Sequence, residues 1–337
     1  MKTKMKALVY EGPRSMSIRE QPLPVLGENE VLVQVAKAGI CGSELSGYLG
    51  HNSLRKPPLV MGHEFSGTVV QVGARVQGFR GGERVTVNPL ISCGLCTDCL
   101  TGKQQLCGSR QLIGAHRPGA FAEYVAVPAG SVHCLPEGVT FAEGALTEPL
   151  ACALHVCRLL QLTPEVRLLI TGAGPIGLFI LTAAQAYGLN TIVVTDINSE
   201  RLDAVKALGG VGVSALAPDG VRPGSFDAAV DAVGIQATRL QCVRALKPGG
   251  RLVFTGLHEA GAVLPINEMI RNEIQTAGAF AYSPRDFELS LKWIGEGKAS
   301  LLPWTVTEKL EEGAACFEKL LDNPGPIAKI LLHMEDL

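Results

Sequence analysis

Cys93, Cys96, Cys99 and Cys107 lie in the pattern Cys-x2-Cys-x2-Cys-x7-Cys. Four thiolates this close together can enclose one tetrahedral Zn²⁺. Two other chemistries share part of the pattern: a redox Cys-x-x-Cys pair, and an iron–sulfur cluster, which also takes all-cysteine ligation. The redox reading leaves two of the four cysteines unexplained and no proline follows the fourth, so a structural zinc is the expectation. Such a site has no open position, and its metal braces a lobe rather than meeting substrate. Cys41, His63 and Glu64 form a second donor set of thiolate, imidazole and carboxylate. With a fourth position left open, three such ligands make a catalytic zinc site. Residue type alone leaves a plainer alternative, since a lone cysteine is often a small buried hydrophobe and a lone histidine a satisfied loop residue.

A third stretch reads Leu168-Leu-Ile-Thr-Gly172-Ala-Gly174-Pro175-Ile176-Gly177, and Asp196 follows the last glycine by 19 residues, after the apolar run Ile192-Val-Val-Thr. Strand, glycine turn, helix and acid at this spacing form the dinucleotide-binding arrangement. Gly172 permits the tight turn, Gly174 lets a pyrophosphate approach the backbone, and Gly177 allows close helix–strand packing. The helix N-terminus offers unpaired N–H groups to the phosphates. Asp196 can accept hydrogen bonds from a ribose 2′-hydroxyl and would repel a 2′-phosphate, so NAD is expected rather than NADP. No charge occurs from Leu168 to Thr195, but the glycines, Pro175 and Asn190 break the stretch too often for a membrane span.

Elements must position these groups. Residues 1–90 carry short strand patterns, Ala7–Tyr10, Glu30–Val35, Gly67–Val72 and Glu83–Val87, which suggest a compact barrel-like domain. Phe121–Val127 reads as another strand, and Pro149 opens a helix whose apolar face holds Leu150, Leu154, Val156 and Cys157. From Val166 strands alternate with helices. Ser199–Gly209 and Gln236–Leu246 read as helices, Phe226–Gly234 and Gly250–Gly256 as strands, and Ile274–Phe280 can complete a six-stranded parallel sheet. Helices are expected over Phe287–Glu296 and Leu310–Leu321, and a last strand over Ala328–Leu332, returning to the first domain.

The 337 residues suit two domains, and 47% hydrophobic against 18% charged residues allows large cores. A net charge of −2 gives no electrostatic case for nucleic acid or an anionic membrane as partner. The N-terminal residues enter a strand pattern with no apolar leader, so the expected compartment is the cytoplasm, where ten cysteines serve as thiols or metal ligands.

Gly62-His63-Glu64-x2-Gly67-x5-Gly73-x2-Val76 resembles the motif of the zinc-containing alcohol dehydrogenases, the medium-chain dehydrogenase/reductase family. The likeness extends in family order through Gly-Ile-Cys41-Gly-Ser43, the four-cysteine lobe, Gly82-Glu-Arg-Val, Gly119-Ala-Phe-Ala-Glu-Tyr, Glu148-Pro-Leu and the glycine turn. Cys-Gly-Ser-Glu and Thr-Glu-Pro-Leu point to the sorbitol, galactitol-phosphate and threonine dehydrogenase branch. The resemblance implies an α/β fold: a GroES-like catalytic domain over 1–152 and 283–337 with its zinc lobe at 93–107, and a Rossmann NAD-binding domain over 153–282.

It also implies two zincs per chain. Cys41, His63 and Glu64 are the implied catalytic ligands, with Glu148 at or beside the metal and Cys152 a weaker candidate. The implied reaction is reversible oxidation of a secondary alcohol (polyol, sugar alcohol or its phosphate) by NAD, with Ser43 passing the proton outward. Arg201 would cover the adenosine ribose, and Gly234, Gly256 and Leu257 would line the nicotinamide edge. One departure stands out: many relatives carry a relay histidine where this chain has Ser46, and His51 is the nearest substitute in sequence. The loop Tyr48–Pro58 is expected to line the substrate pocket. Arg55, Lys56, His116 and Arg117 are candidates to meet a phosphate or carboxylate, or plain surface residues. Rival readings are a threonine or simple secondary-alcohol dehydrogenase or carbonyl reductase of the same family, and a non-catalytic NAD-binding zinc protein. A homodimer or homotetramer is the family expectation.

Overall fold

The computed structural model describes residues 3–217 and 220–334. Val31, Val33 and Val35 are β-branched and fully buried, and they make Glu30–Gly39 the central strand of a seven-stranded sheet. It pairs antiparallel with Glu64–Val72, the register ending on Gly39 opposite Glu64. Antiparallel pairing sets the exit of one strand beside the entry of the other. Cys41, just past the first, and His63, just before the second, therefore meet at one sheet end. On its other side Glu30–Gly39 pairs with Lys329–His333, with Leu331 opposite Gly39. The late strand so returns to the first, as its apolar pattern implied. Space at this corner depends on Gly39, because a Cβ there would stand 2.4 Å from a Glu64 carboxylate oxygen.

The second body is a six-stranded, wholly parallel sheet. Its order is Val211–Ser214, Thr191–Asp196, Arg167–Thr171, Phe226–Asp231, Leu246–Phe254, Gln275–Gly278. Strand order reverses at Arg167–Thr171, so a crevice opens at its carboxyl end beside that of Phe226–Asp231. The fold class expected from the sequence holds, a β-rich body joined to a six-stranded parallel sheet.

Of the described strands four residues or longer, three had no sequence expectation: Ser15–Pro22, Val211–Ser214 and Thr305–Lys309. Each is largely exposed or half-exposed and polar, so none carries an apolar run. Several expected bounds shift. The fifth sheet strand starts at Leu246 rather than Gly250, the sixth is trimmed to Gln275–Gly278, and the helix of residues 310–321 begins as a single 3₁₀ turn over Leu310–Glu312.

The helix Thr147–Leu160 joins the two bodies. It buries Leu150, Leu154, Val156, Cys157 and Leu160 in a core shared with Ile170, Phe179 and Val230 of the parallel-sheet body and with Trp293 and Leu331 of the late segments. The helix Pro284–Gly295 packs beside it, Ser290 Oγ donating to the Thr147 carbonyl at 2.7 Å. At the far end Asp286 accepts from Arg158 at 2.7 and 2.9 Å, meets His155 Nδ1 at 2.9 Å, and accepts from Ser283 Oγ at 2.7 Å. No helix among the described residues is long and apolar enough to cross a membrane.

Burial acts to raise the Asp286 carboxyl, but its hydrogen bonds from His155, Arg158 and Ser283 prevail and hold it well below the usual carboxylate range. Stability from this group is therefore present at neutral pH and lost as pH falls below about 4 toward the folded value. Asp286→Asn is expected to cost roughly 2 kcal/mol at pH 7, because it leaves the half-exposed Arg158 guanidinium without its hydrogen-bonded carboxylate. It should also flatten the acid limb of a stability–pH curve measured by urea unfolding.

Candidate active site

Glu44 is fully buried on the short helix Gly42–Tyr48, three residues past the N-capping Cys41. Its carboxylate accepts the Cys41 N–H at 3.0 Å, the Gly62 N–H at 2.8 Å, and meets His63 Nδ1 at 2.8 Å. The reach back to the Cys41 N–H is half of a capping box. The bond to Nδ1 fixes the imidazole plane and leaves Nε2 for other work. Burial opposes the Glu44 charge, yet His63, Arg55 and the Cys41 N–H outweigh it and keep the carboxyl below its ordinary range. Burial likewise opposes an imidazolium, but Glu44 and Cys41 hold His63 well above its ordinary value in the metal-free chain.

One ligand atom each from Cys41, His63 and Glu64 lies within 4.8 Å of the others. Thiolate, imidazole and carboxylate gathered at one partly buried point suit zinc. The Glu64 oxygens also accept from Lys329 Nζ at 2.6 and 2.8 Å, and Lys329 donates to the Ile40 carbonyl at 3.1 Å. Burial disfavours the ammonium, but Glu64 and Cys41 raise its pKa, so Lys329 stays charged. Glu148, at the start of the bridging helix, stands outside the three-residue group. Burial and the Glu64 charge push its carboxyl up to about 7 against the pull of His63 and Lys329. Tyr282 hydrogen-bonds to it, and Cys152 Sγ lies 3.9 Å away. Ser43 Oγ is 3.5 Å from Cys41 Sγ.

The four-cysteine lobe is also assembled. Its sulfur atoms lie within 4.8 Å of one another, Cys96 and Cys99 at 3.5 Å and Cys93 and Cys99 at 3.8 Å. Backbone N–H groups of Leu95 and Cys96 draw the Cys93 thiol down to about 6. Leu95, Leu100 and Leu106 are exposed around it, so burial does not hold this loop together. Four converging thiols can, through a metal.

At the mouth of the parallel sheet Gly172 adopts φ +96°, and a Cβ on Gly177 would stand 1.9 Å from the Gly172 carbonyl oxygen. Nothing lies within 4 Å of a Cβ built on Gly174, which caps the helix Pro175–Ala186. That open cradle at a helix N-terminus fits a pyrophosphate. Pro175 and Ile176 open the helix. Asp196 accepts the Ala173 N–H at 2.7 Å and the Asn198 N–H at 2.8 Å, which aims its carboxylate across the turn with lone pairs left over. Arg201 is half-buried and its Nε has no partner among the described residues. Gly234 and Gly256 touch backbone to backbone, and Leu257 beyond them is exposed.

Some expectations separate here. Arg117 pairs with Glu30, and His116 Nδ1 accepts the Leu112 N–H at 3.0 Å, so both are already engaged. Lys56 and His51 are exposed, and His51 approaches Ser46 only through its backbone N–H, at 2.9 Å. Arg55 is no surface residue: it is 4% exposed and donates to Ser43 Oγ at 3.0 Å. Sequence reasoning missed Glu44, Lys329, Tyr282 and Asp231. Buried Asp231 accepts from the Val233 and Gly234 N–H groups at 3.1 and 2.9 Å and from the Thr238 hydroxyl at 2.9 Å, building the Gly234 turn. A signal existed for Lys329, a lone charge inside an apolar strand.

Comparison with known proteins bears on this arrangement. Residues 27–137 match the family described as alcohol dehydrogenase GroES-like domain, and residues 175–296 the family described as zinc-binding dehydrogenase. The chain is 30% identical to sorbitol dehydrogenase of Bacillus subtilis, over 98% of this chain and 97% of that one. It is 32% identical to L-idonate 5-dehydrogenase of Vitis vinifera, over 87% and 84%. Among solved structures it superposes with a TM-score of 0.91 on an alcohol dehydrogenase of E. coli CFT073 complexed with NADH, at 29% identity, covering 98% of this chain and all of that one.

Because metal-free His63 holds a proton that a metal must displace, zinc affinity at Cys41, His63 and Glu64 should fall about tenfold for each pH unit lowered. Glu44→Gln should weaken that site about 10- to 100-fold at neutral pH, since the imidazole loses its orienting carboxylate. Competition with a chromophoric chelator checks both, the four-cysteine site serving as internal reference for the substitution at fixed pH.

Proposed function

The chain belongs to the family of zinc-binding alcohol dehydrogenases, and from that premise we propose that it oxidises a secondary hydroxyl of a polyol, a sugar alcohol or its phosphate to the ketone with NAD. The observation that carries this reading is the convergence of Cys41, His63 and Glu64 within 4.8 Å, with Ser43 3.5 Å from Cys41. When bound, zinc supplies Lewis-acid polarisation of a hydroxyl, and NAD supplies a hydride acceptor.

The chain's own residues do the rest. Cys41, His63 and Glu64 hold the catalytic metal, and Glu148 stands beside it as a carboxyl able to exchange a proton near neutrality. Ser43 Oγ would relay the substrate hydroxyl proton, accepting it while giving up its own outward toward solvent. Lys329 shares the Glu64 charge, so the carboxylate need not give all of it to the metal. Gly172, Gly174, Pro175, Ile176 and Gly177 cradle the pyrophosphate. Asp196 and Arg201 hold the adenosine ribose, while Gly234, Gly256 and Leu257 position the nicotinamide against the reacting carbon. Cys93, Cys96, Cys99 and Cys107 hold a second, structural zinc.

We assign the catalytic body to residues 1–152 and 283–337 and the NAD-binding body to 153–282. The pairing of Lys329–His333 with Glu30–Gly39 supports that division. The proposed compartment is the cytoplasm, where ten unpaired cysteines stay reduced. The proposed assembly is a homodimer or homotetramer. The exposed apolar side chains Val263, Ile266 and Ile270, close in sequence to the edge strand Gln275–Gly278, favour it.

A panel of polyols, threonine and simple alcohols, assayed in both directions with NAD and NADP, tests the reading. Turnover of polyols with preference for NAD is expected; turnover confined to primary alcohols would sink it. Elemental analysis should find two zincs per chain, one for each donor group. Cys41→Ser should remove one of them and abolish turnover. One zinc in the unmodified chain with no dehydrogenase activity would favour a non-catalytic NAD-binding protein.

A further inference from the structure

Arg55 follows the helix Gly42–Tyr48 and folds back along it. Its stem crosses Gly47, where an added Cβ would stand 2.4 Å from Arg55 Cδ. Its head reaches Ser43, four residues and one helical turn earlier, so Gly47 and Ser43 form one track for this side chain. The bond to Ser43 Oγ is its one hydrogen bond among the described residues, and its Nε is buried without a partner. Among those residues no acidic oxygen lies within 4.0 Å of the guanidinium. The acid it faces across the helix is Glu44, already engaged by His63 and two backbone N–H groups. Three arginines more exposed than Arg55 have carboxylates: Arg117 has Glu30, Arg158 has Asp286 and Arg239 has Asp231.

A guanidinium has five N–H donors in a planar fork that matches two oxygens of a carboxylate or phosphate. Burying that charge without an anion is costly, so the unpaired state is poised for one. Ser43 Oγ lies 3.5 Å from Cys41 Sγ, which puts the fork one hydroxyl away from the catalytic donor set.

We infer that Arg55 binds an anionic group carried by the substrate, so the polyol oxidised here is an acidic one: a sugar acid or a phosphorylated sugar alcohol. This rests on the polyol dehydrogenase reading and narrows it. A neutral polyol leaves the guanidinium with no hydrogen-bonded anion, while a carboxylate or phosphate completes the fork and holds the neighbouring carbinol over the donor set. Carboxylate and phosphate share the recognising chemistry, and the assay separates them.

Hexitols, hexonates and hexitol phosphates of matched stereochemistry are compared with the zinc-loaded enzyme and NAD, by kcat/KM and by calorimetric binding in the presence of NADH. One anionic series should exceed its neutral match at least tenfold, and whichever series does so identifies the group. Arg55→Gln should cut that preference at least tenfold through KM, and Arg55→Lys should restore only part of it. Gly47→Ala, which displaces the arginine stem and leaves every charge in place, should cut it as well and carries the test if Arg55→Gln does not fold. Neutral hexitols turned over as well as charged ones by the unmodified enzyme, or a preference untouched in Arg55→Gln, overturns the inference and leaves the polyol reading standing. No turnover of any series, with hexonate or phosphate binding lost in Arg55→Gln, keeps the anion site and rejects the polyol reading.

Discussion

The site depends on one buried carboxylate. Glu44 takes an N–H from Cys41 on one segment, an N–H from Gly62 on another, and the Nδ1 edge of His63. Without it the end of one strand and the start of its neighbour would meet as two unrelated loops. With it, thiolate and imidazole hold a fixed relative placement before any metal arrives. The cost of burying the charge is met by three donors, two of them from the backbone, which no rotamer change can withdraw. The same carboxylate serves the helix beginning at Gly42 as a cap, so local helix formation and site geometry come from one side chain.

The surrounding architecture distributes tasks by rigidity. Strand register brings Cys41, His63 and Glu64 to one corner, and the parallel sheet places its glycine turn at the crevice where strand order reverses. The helix Thr147–Leu160 connects these regions, with Glu148 toward the donor set at one end and the Arg158–Asp286 clasp at the other. The four-cysteine lobe stands apart from this scheme. Its leucines face solvent, so chemistry rather than burial determines whether it is folded.

Much of this was legible in the chain. Clustered cysteines report their own purpose because all four ligands fit in one loop, and the glycine turn reports its own because strand, glycines and acid are consecutive. The apolar runs gave five strands of the parallel sheet. The sixth, Val211–Ser214, escaped because its residues are half-exposed or exposed and one is glycine. Glu44 and Lys329 were harder, for a physical reason: apart from the Glu44 bond to Cys41, their contacts are with residues 18 to 289 positions away. Arg55 read either as a candidate for an anion or as a plain surface charge, since nothing local shows that Gly47 clears a path for its stem. Periodicity finds what is buried on a repeating face; it does not find a single polar group buried at a junction between faces.

The ion pair of Lys329 with Glu64 imposes an order on biosynthesis. A ribosome delivers the thiolate, the imidazole and the carboxylate early, and the ammonium that compensates the carboxylate only 265 residues later. Until then the Glu64 carboxyl lacks its partner and the corner lacks the strand that pairs with Glu30–Gly39. A chain that stops short of Lys329 therefore lacks both at once, and the corner is completed only when Lys329–His333 has been made.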